Sequence, residues 1–566
     1  MKTFFALFLF PLSLLIAEDS SSHMMVDNLS VLQNTFFSHY APVQWKEASL
    51  GWKMDEEFLE AKKTVLEKPH TIKEFQNLLA KLFGAFQDYH TRIYFHSTAR
   101  ATLPFIVTEI NEKYFVTWSN VDSIQKGDEI VLWNGKPPAV EAKTLVYGHQ
   151  SETQKKLAAS FLTLRQGALG FDMPQETLTL EVKQENSQET LQTVINWTIE
   201  EEQIPAPPIT DLPKKAFKRV YKALKRGKTR LKAAKNPFFH RDFTWAPYRQ
   251  TQATKPHFDD MRPQLVGNRT SFVPSLGEGL ISSAEEDPIH AYLFQLPSQK
   301  KAGYLRIPSY MLDGEDFQAI KEWLRLFEAA ADVLVIDQVN NPGGSLWSVY
   351  ALLTHLSSDP IKVFKNRISL TQEEVAFSVW MLDQLNFEEI NSDEEAQDML
   401  GESMLGIPID LNFAKSLQKF LKDSIEEWSL GNRLTKPLPL FGIEKIQPHS
   451  NVRFTKPILV LINELDFSCG DLFPAIMQDN KRAVLFGSKT AGAGGYVLQT
   501  SFPNLAGIDA FTYTGSLLER LDGSYIENVG VSPDISYVLT EDDVKTGAYQ
   551  EYKSAVIEAL EGLIKE

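Results

Sequence analysis

Residues Phe467 to Gly495 read FSCGDLFPAIMQDNKRAVLFGSKTAGAGG, and they follow KPILVLINELD, a run apolar enough to be a buried strand. DLFPAIMQ has the character of the first turns of a helix, which places Ser468 on a strand-to-helix turn. A side chain there stands clear of the sheet, and the free NH groups of the helix start can receive an oxyanion. Asp471 and Pro474 suit a first helical turn, one complementing the positive end of the dipole and the other lacking only an NH that had no partner. A serine at a helix start is ordinarily just a cap. To act as a nucleophile it needs a base, an orienting group and a second oxyanion donor from elsewhere in the chain.

The 566 residues exceed one ordinary domain, and about 150 residues per domain suggests three or four. A composition of 43% apolar and 23% charged residues is that of a soluble globular protein. The formal net charge of -16 argues against nucleic acid as the main partner, because such a surface must gather Lys and Arg against phosphates. The opening MKTFFALFLFPLSLLIA has an early lysine, an apolar run from Phe4 to Ile16 and a small Ala17, the layout of a secretory signal over residues 1–17. Export is therefore expected, with no membrane anchor after cleavage, since no later run is long enough to span a bilayer. Cys469 is the one cysteine, so an internal disulfide and a thiolate metal cluster are excluded, and no metal or cofactor is expected. Its thiol is a rival to Ser468 as nucleophile, although its backbone NH is the more useful group.

From Met24 to Gln87 the spacing of apolar residues is helical, and Thr71 with Glu74 forms a capping box ahead of one helix. That helix runs out at DYH, and TRIYFHS alternates like a strand, so His90 lies at a helix-to-strand corner within an N-terminal helical part spanning 18–102. An isolated histidine is more often a cap or a core residue than a base. Residues 103–203 change to short strands and turns, with Asn134-Gly135 as a hairpin signal, and KGDEIVLWNGKP is similar to the corresponding segment of PDZ domains, which take extended peptides by strand addition. A Pro-rich linker then opens a loop-rich insertion over 204–285, in which every charged residue from Lys214 to Lys235 is basic. Such a run is commonly a solvated face; in an acidic protein it can also lie against the protein's own surface.

The last part, 286–566, carries a βαβ unit: GYLRIPSY, an amphipathic helix through EDFQAIKEWLRLFEAAA, and the apolar strand DVLVIDQ, whose strands should be parallel. NNPGGSLWSVYALLTHL then repeats the strand-turn-helix pattern of Ser468, with Gly343 and Gly344 giving backbone that a ligand can approach. Ligands collect at the carboxyl ends of strands in such sheets, so two of these turns side by side would form a site. A mainly helical insertion over 364–447 separates them. The expected fold is therefore a multidomain α/β protein with a mixed or parallel βαβ sheet in its C-terminal domain.

Five strings in order, DYH at 88–90, VIDQVNNPGG at 335–344, ELDFSCGD at 464–471, KTAGAGG at 489–495 and IENVGVSPDI at 526–535, carry a resemblance over nearly the whole chain. The chain resembles the chlamydial protease-like activity factors, secreted serine endopeptidases distantly related to the tail-specific and tricorn proteases. The resemblance implies a catalytic set of His90 as base, Ser468 as nucleophile and Glu527 as the group that orients the imidazole. The NH groups of Cys469 and of Gly343 or Gly344 would hold the oxyanion. Tail-specific proteases use a lysine base 25 residues after the serine, but Ala493 stands at that place here, so a lysine dyad is ruled out and Lys489 is structural. Gly470 stands where the resemblance implies alanine. His96 competes as base, yet it lies about 20 Å from His90 along an extended strand, so only one can serve. The resemblance further implies protein substrates, an inactive proenzyme, masking of the site by about 210–283, self-cleavage near 275–283, a homodimer, and a virulence factor that is extracellular or delivered into a host cell. A catalytically silent binding protein on the same fold is the alternative.

Overall fold

Ile458–Ile462, the apolar run before Ser468, is a fully buried central strand of a seven-stranded sheet. The computed structural model describes residues 6–146, 151–184, 190–203, 266–384, 389–404 and 407–565; the basic run Lys214–Lys235 and the first five residues of the apolar leader lie outside these. Across the sheet the strands are Gly279–Ser282, Ala291–Gln295, Lys301–Arg306, Val333–Asp337, Ile458–Ile462, Val484–Gly487 and Ile535–Ser536. The first two pairings are antiparallel and the rest parallel. Ile458, Val460 and Ile462 face a core built with the helices Gly314–Ala330 and Cys469–Asp479, while Leu459 and Leu461 face a second core built with Gln550–Lys565. Burial on both faces is why this strand is apolar at every position instead of alternating.

The expected β-domain has a five-stranded antiparallel sheet from Phe105–Ile110 to Thr190–Asn196 with the helix Glu152–Leu162 packed on its first strand, and it takes in the strand Arg100–Thr102, ahead of the expected boundary at 103, which pairs with Leu164–Gln166 and Thr198–Glu200. Asn134 (φ 48°) and Gly135 (φ 76°) make its two-residue hairpin turn, the twist-matched geometry that favours Asn-Gly. In the N-terminal part, Thr71 caps the helix Ile72–Ala85 through the capping box with Glu74. The helices of this part do not close a core by themselves. Phe36, Phe58, Phe83 and Phe86 pack with Ile508, Phe511 and Tyr513, and the strand Ile93–Phe95 pairs with Ile508–Thr514.

Three local expectations differ. The loop-rich stretch was expected to run to about 285, but Gly279–Ser282 is an edge strand of the main sheet, paired with Ala291–Gln295, and Phe272 and Leu276 are buried in the second core. Pro474 lies beyond the first turn of Cys469–Asp479. The carbonyl it leaves without a helical donor, that of Gly470, accepts from Gln338 Nε2 at 2.7 Å. The C-terminal helix is broken into Glu541–Lys545 and Gln550–Lys565 by a turn with Gly547 and Tyr549 at positive φ. Among the described residues no helix is long and apolar enough to cross a membrane.

Candidate active site

Two strand-to-helix turns sit side by side at the carboxyl ends of the adjacent parallel strands Val333–Asp337 and Ile458–Ile462. Buried polar side chains lock them together. Asp466 accepts from the Asn341 NH (2.9 Å), the Asn463 NH (3.0 Å) and Gln338 Nε2 (3.0 Å). The Asn340 NH donates to Asn463 Oδ1 (2.9 Å), Asn463 Nδ2 donates to Asn340 Oδ1 (2.7 Å), and the Phe467 NH donates to the Asn341 carbonyl (2.8 Å). None of these residues stood out in the sequence beyond its place in a turn.

Ser468 follows this clamp with φ 55° and ψ −118°, a conformation that costs a non-glycine residue about 1–3 kcal/mol. Its side chain caps nothing in the helix, and it is half-exposed between buried Phe467 and Cys469. The ordinary capping role for this serine is therefore absent. Cys469 begins the helix, so its NH has no intrahelical acceptor. Its thiol is buried, donates to the Gly344 carbonyl (3.2 Å) and is pushed up to about 12 by burial. A thiol held protonated at every working pH is a poor nucleophile, which removes the rival to Ser468.

Gly343 is the closest approach of the neighbouring turn. A Cβ on it would lie 2.6 Å from Ser468 Cβ and 2.9 Å from the Cys469 nitrogen, and its φ of +93° is one that other residues rarely adopt. Its NH, however, donates to Asn341 Oδ1 at 2.8 Å, so the expectation that this group faces an oxyanion is corrected. Gly344 differs. It bridges Tyr310 through the Gly343 carbonyl and the Ser345 NH, which turns its own NH and carbonyl to the opposite side, and that carbonyl meets the Cys469 thiol. Gly470 packs against Asn341, whose carbonyl would lie 2.8 Å from an added Cβ. Close packing, rather than backbone freedom, accounts for glycine there.

The loop Thr490–Gly495 is bound to the Ser468 helix through Asp471, which accepts from Thr490 Oγ1 (2.5 Å), the Gly492 NH (2.8 Å) and the Ala493 NH (3.0 Å). Asp471 thus serves the loop rather than only the dipole, and burial pushes it up to about 6 in spite of these donors. Ala493, at the place of the lysine in the tail-specific pattern, is buried, whereas Lys489 is exposed. The same loop leans on the turn carrying Glu527: the Asn528 NH donates to the Gly492 carbonyl (2.8 Å), and a Cβ on Gly494 would lie 3.0 Å from the Glu527 nitrogen.

His90 enters from the N-terminal part. Its neighbour Tyr89 meets Phe467, the neighbour of Ser468, with ring centroids 5.3 Å apart. Its NH donates to Asp88 Oδ1 (2.8 Å), and its carbonyl accepts from Thr512 Oγ1 (2.6 Å), which fixes the corner to the strand Ile508–Thr514. The imidazole is buried, and burial lowers its pKa, opposed by the Asp88 carboxylate and the Gly494 backbone. Among the described residues neither ring nitrogen has a hydrogen-bond partner. His96, the competing base, is exposed and faces Asp509 at 3.3 Å, away from this corner.

Glu527 is buried, and its carboxyl is pushed up to about 8 by burial and by Asp88, against the pull of Lys46. Neither of its oxygens makes a hydrogen bond among the described residues, but Lys46 Nζ lies 3.1 Å from Oε1. The structure therefore gathers the segments that carry His90, Ser468 and Glu527 without joining the three side chains by hydrogen bonds. Asp88 and Lys46 are the charged groups that sequence reasoning missed. Asp88 stood within the DYH string, whereas the lysine lay on a short helix with no one-sided apolar pattern and gave no signal.

The domain built on this sheet, which carries Ser468 on a strained turn beside a first-turn NH and a glycine arm, is of the serine peptidase class. Residues 301–537 match peptidase family S41, and residues 99–204 match the PDZ domain. A protein of Chlamydia muridarum is 35% identical over 567 residues, covering 95% of this chain and 92% of its own length. The crystal structure of mature CPAF superposes with a TM-score of 0.81 at 30% identity, covering 96% of this chain and 98% of that one. Mature CPAF complexed with lactacystin superposes at 0.80 with 30% identity, covering 96% and 99%. The chain belongs to the family of the chlamydial protease-like activity factor. Among the described residues no group of acidic, histidine or cysteine side chains is arranged to hold a metal ion.

Proposed function

We propose that this S41 peptidase cleaves protein substrates through an acyl-enzyme on Ser468, with His90 as general base and acid and Glu527 orienting the imidazole. The observation that carries the reading is the strained Ser468 turn, which caps nothing and stands beside the Cys469 NH and the Gly344 arm. Attack by Ser468 Oγ on the scissile carbonyl passes its proton to His90, and the tetrahedral oxyanion is received by the NH groups of Cys469 and Gly344. His90 then returns the proton to the leaving amine, and water repeats the cycle on the ester. For this the imidazole needs hydrogen bonds to both Ser468 and Glu527.

A full-length chain that is made inactive and is activated by self-cleavage and dimerisation rests on the family resemblance, the related structures being those of mature CPAF. Cleavage is expected before Gly279, because Gly279–Ser282 is hydrogen-bonded into the sheet. Secretion rests on the apolar leader Phe4–Ile16 and its small Ala17, and delivery into a host cell as a virulence factor rests on the family.

Wild type and Ser468→Ala are compared for fluorophosphonate labelling and for fragments arising within 204–278. Labelling and fragments in wild type alone are expected, whereas equal behaviour of the two would leave a silent binding protein on this fold. A second reading has one observation behind it: the carboxylate whose charge reaches His90 is Asp88. If Asp88→Asn abolishes turnover while Glu527→Gln does not, Asp88 takes the supporting role.

A further inference from the structure

We propose that Lys46 is a positioning residue for the peptidase reaction: its buried ammonium holds the Glu527 carboxylate and ties the loop carrying His90 to the loop carrying Glu527. The inference rests on the reading of Glu527 as the orienting group.

Lys46 projects from the short helix Val43–Leu50 and is fully buried. Its Nζ reaches the carbonyls of Phe86 (3.0 Å) and Gln87 (3.1 Å), Asn528 Oδ1 (2.5 Å) and Glu527 Oε1 (3.1 Å). The first two oxygens belong to the turn that leads into Asp88 and His90, and the last two belong to the Glu527 turn. Asn528 Nδ2 also donates to the Gln87 carbonyl at 2.5 Å, so the two turns meet around one ammonium. Both turns hold a non-glycine residue at positive φ, Gln87 at 50° and Asn528 at 56°. Backbone of this kind persists only where its surroundings over-determine it.

Burial of an ammonium is unfavourable unless its partners are well placed, and an apolar residue would have filled this helix face without that penalty. Val43, one turn earlier on the same face, is such a residue. A lysine here therefore indicates a need for its charge. The charged and titratable groups around Glu527 are Lys46 on one side and Asp88 and Asp471 on the others, with Tyr40 also near. Asp88 in turn faces Lys46 and His90. Lys46 is the cation that acts on both carboxylates, Glu527 and Asp88, while Arg92 acts on His90. Without it, two acidic neighbours would keep Glu527 protonated, and a neutral carboxyl cannot stabilise the imidazolium formed on His90.

The test is a double-mutant cycle of Lys46→Met and Glu527→Gln on the full chain, reading kcat, KM, the pH profile and thermal unfolding. Lys46→Met is expected to lower kcat about 100-fold, as for a misplaced catalytic group, with KM little changed, and to move the acid limb of the profile to higher pH. In the Glu527→Gln background the same change should cost almost nothing further. A wild-type kcat and acid limb in Lys46→Met, or losses that simply multiply in the double variant, would overturn the proposal. If Lys46→Met does not fold alone, the double variant, in which no Glu527 carboxylate is left without its cation, is compared directly with Glu527→Gln: equal kcat supports the proposal and a further loss overturns it. Unchanged turnover in Glu527→Gln would instead remove the triad reading on which the proposal stands.

Discussion

At the scale of single residues, the two titrating members of the proposed triad are displaced in opposite directions. Burial holds His90 below its ordinary range and Glu527 at about 8, so at neutral pH the base is deprotonated while the orienting carboxyl is still largely protonated. Activity should therefore rise with pH through about 8, its acid limb set by Glu527 and not by His90. Stability should run the other way. Glu527 binds its proton more tightly folded than unfolded, so between the unfolded carboxyl range near 4.3 and about 8 its contribution falls by up to about 1.4 kcal/mol per pH unit. Peptidase assays and denaturant titrations check both between about 6.5, above which the opposing contribution of His90 is complete, and about 8; stability rising with activity in that window would contradict the assignment. Two substitutions test the nucleophile's surroundings. Cys469→Ala should keep activity within a few-fold, because its NH and not its buried thiol is used, and thiol alkylation should fail to inactivate the native protein. Gly343→Ala should abolish fluorophosphonate labelling, since the new Cβ would lie 2.6 Å from that of Ser468.

At the scale of elements, both reactive turns were legible because each follows an uninterrupted apolar run, a pattern that only a strand buried on both faces requires. The parallel pairing of Lys301–Arg306 with Val333–Asp337 followed from the helix between these two strands. What the sequence did not reveal is what joins the turns. Asp466 acts on Asn341, 125 residues away, and Asp471 on a loop 19 to 22 residues away, through contacts with no periodicity to betray them. The edge strand Gly279–Ser282 was hidden for a related reason. Its four residues are exposed and short, so its strand character comes from the neighbour Ala291–Gln295 and not from its own pattern. The Gly343 NH was misassigned because the sequence shows that a glycine turn is present but not which NH a nearby asparagine takes. The Asp466 clamp carries its own prediction. Asp466→Ala would strip three buried donors of their acceptor, at about 1–3 kcal/mol each before relaxation, and thermal unfolding should show a lowered midpoint together with lost labelling of Ser468.

At the scale of the molecule, the proposed base and nucleophile, at positions 90 and 468 of 566, come from parts far apart in the chain, and the site exists only where those parts share a core. The helices of the N-terminal part bury Phe36 among Tyr40, Phe83, Phe86, Phe511 and Tyr513, so the C-terminal part supplies two rings of the aromatic cluster under the His90 corner. Thr512 and Thr514 then hold the His90 carbonyl and the Asp88 carboxylate from the same strand. Packing of this kind makes the two parts one cooperative unit, in contrast to domains that merely touch. Phe36→Ala, far from any reacting atom, should therefore destabilise the protein by about 3–5 kcal/mol and also lower kcat, because the cavity loosens the corner that aims His90. The loss should appear as a single unfolding transition in which tyrosine and tryptophan signals and Ser468 labelling disappear together. Two separated transitions, with labelling retained through the first, would mean that the N-terminal part folds on its own and that the shared aromatic core does not place the base.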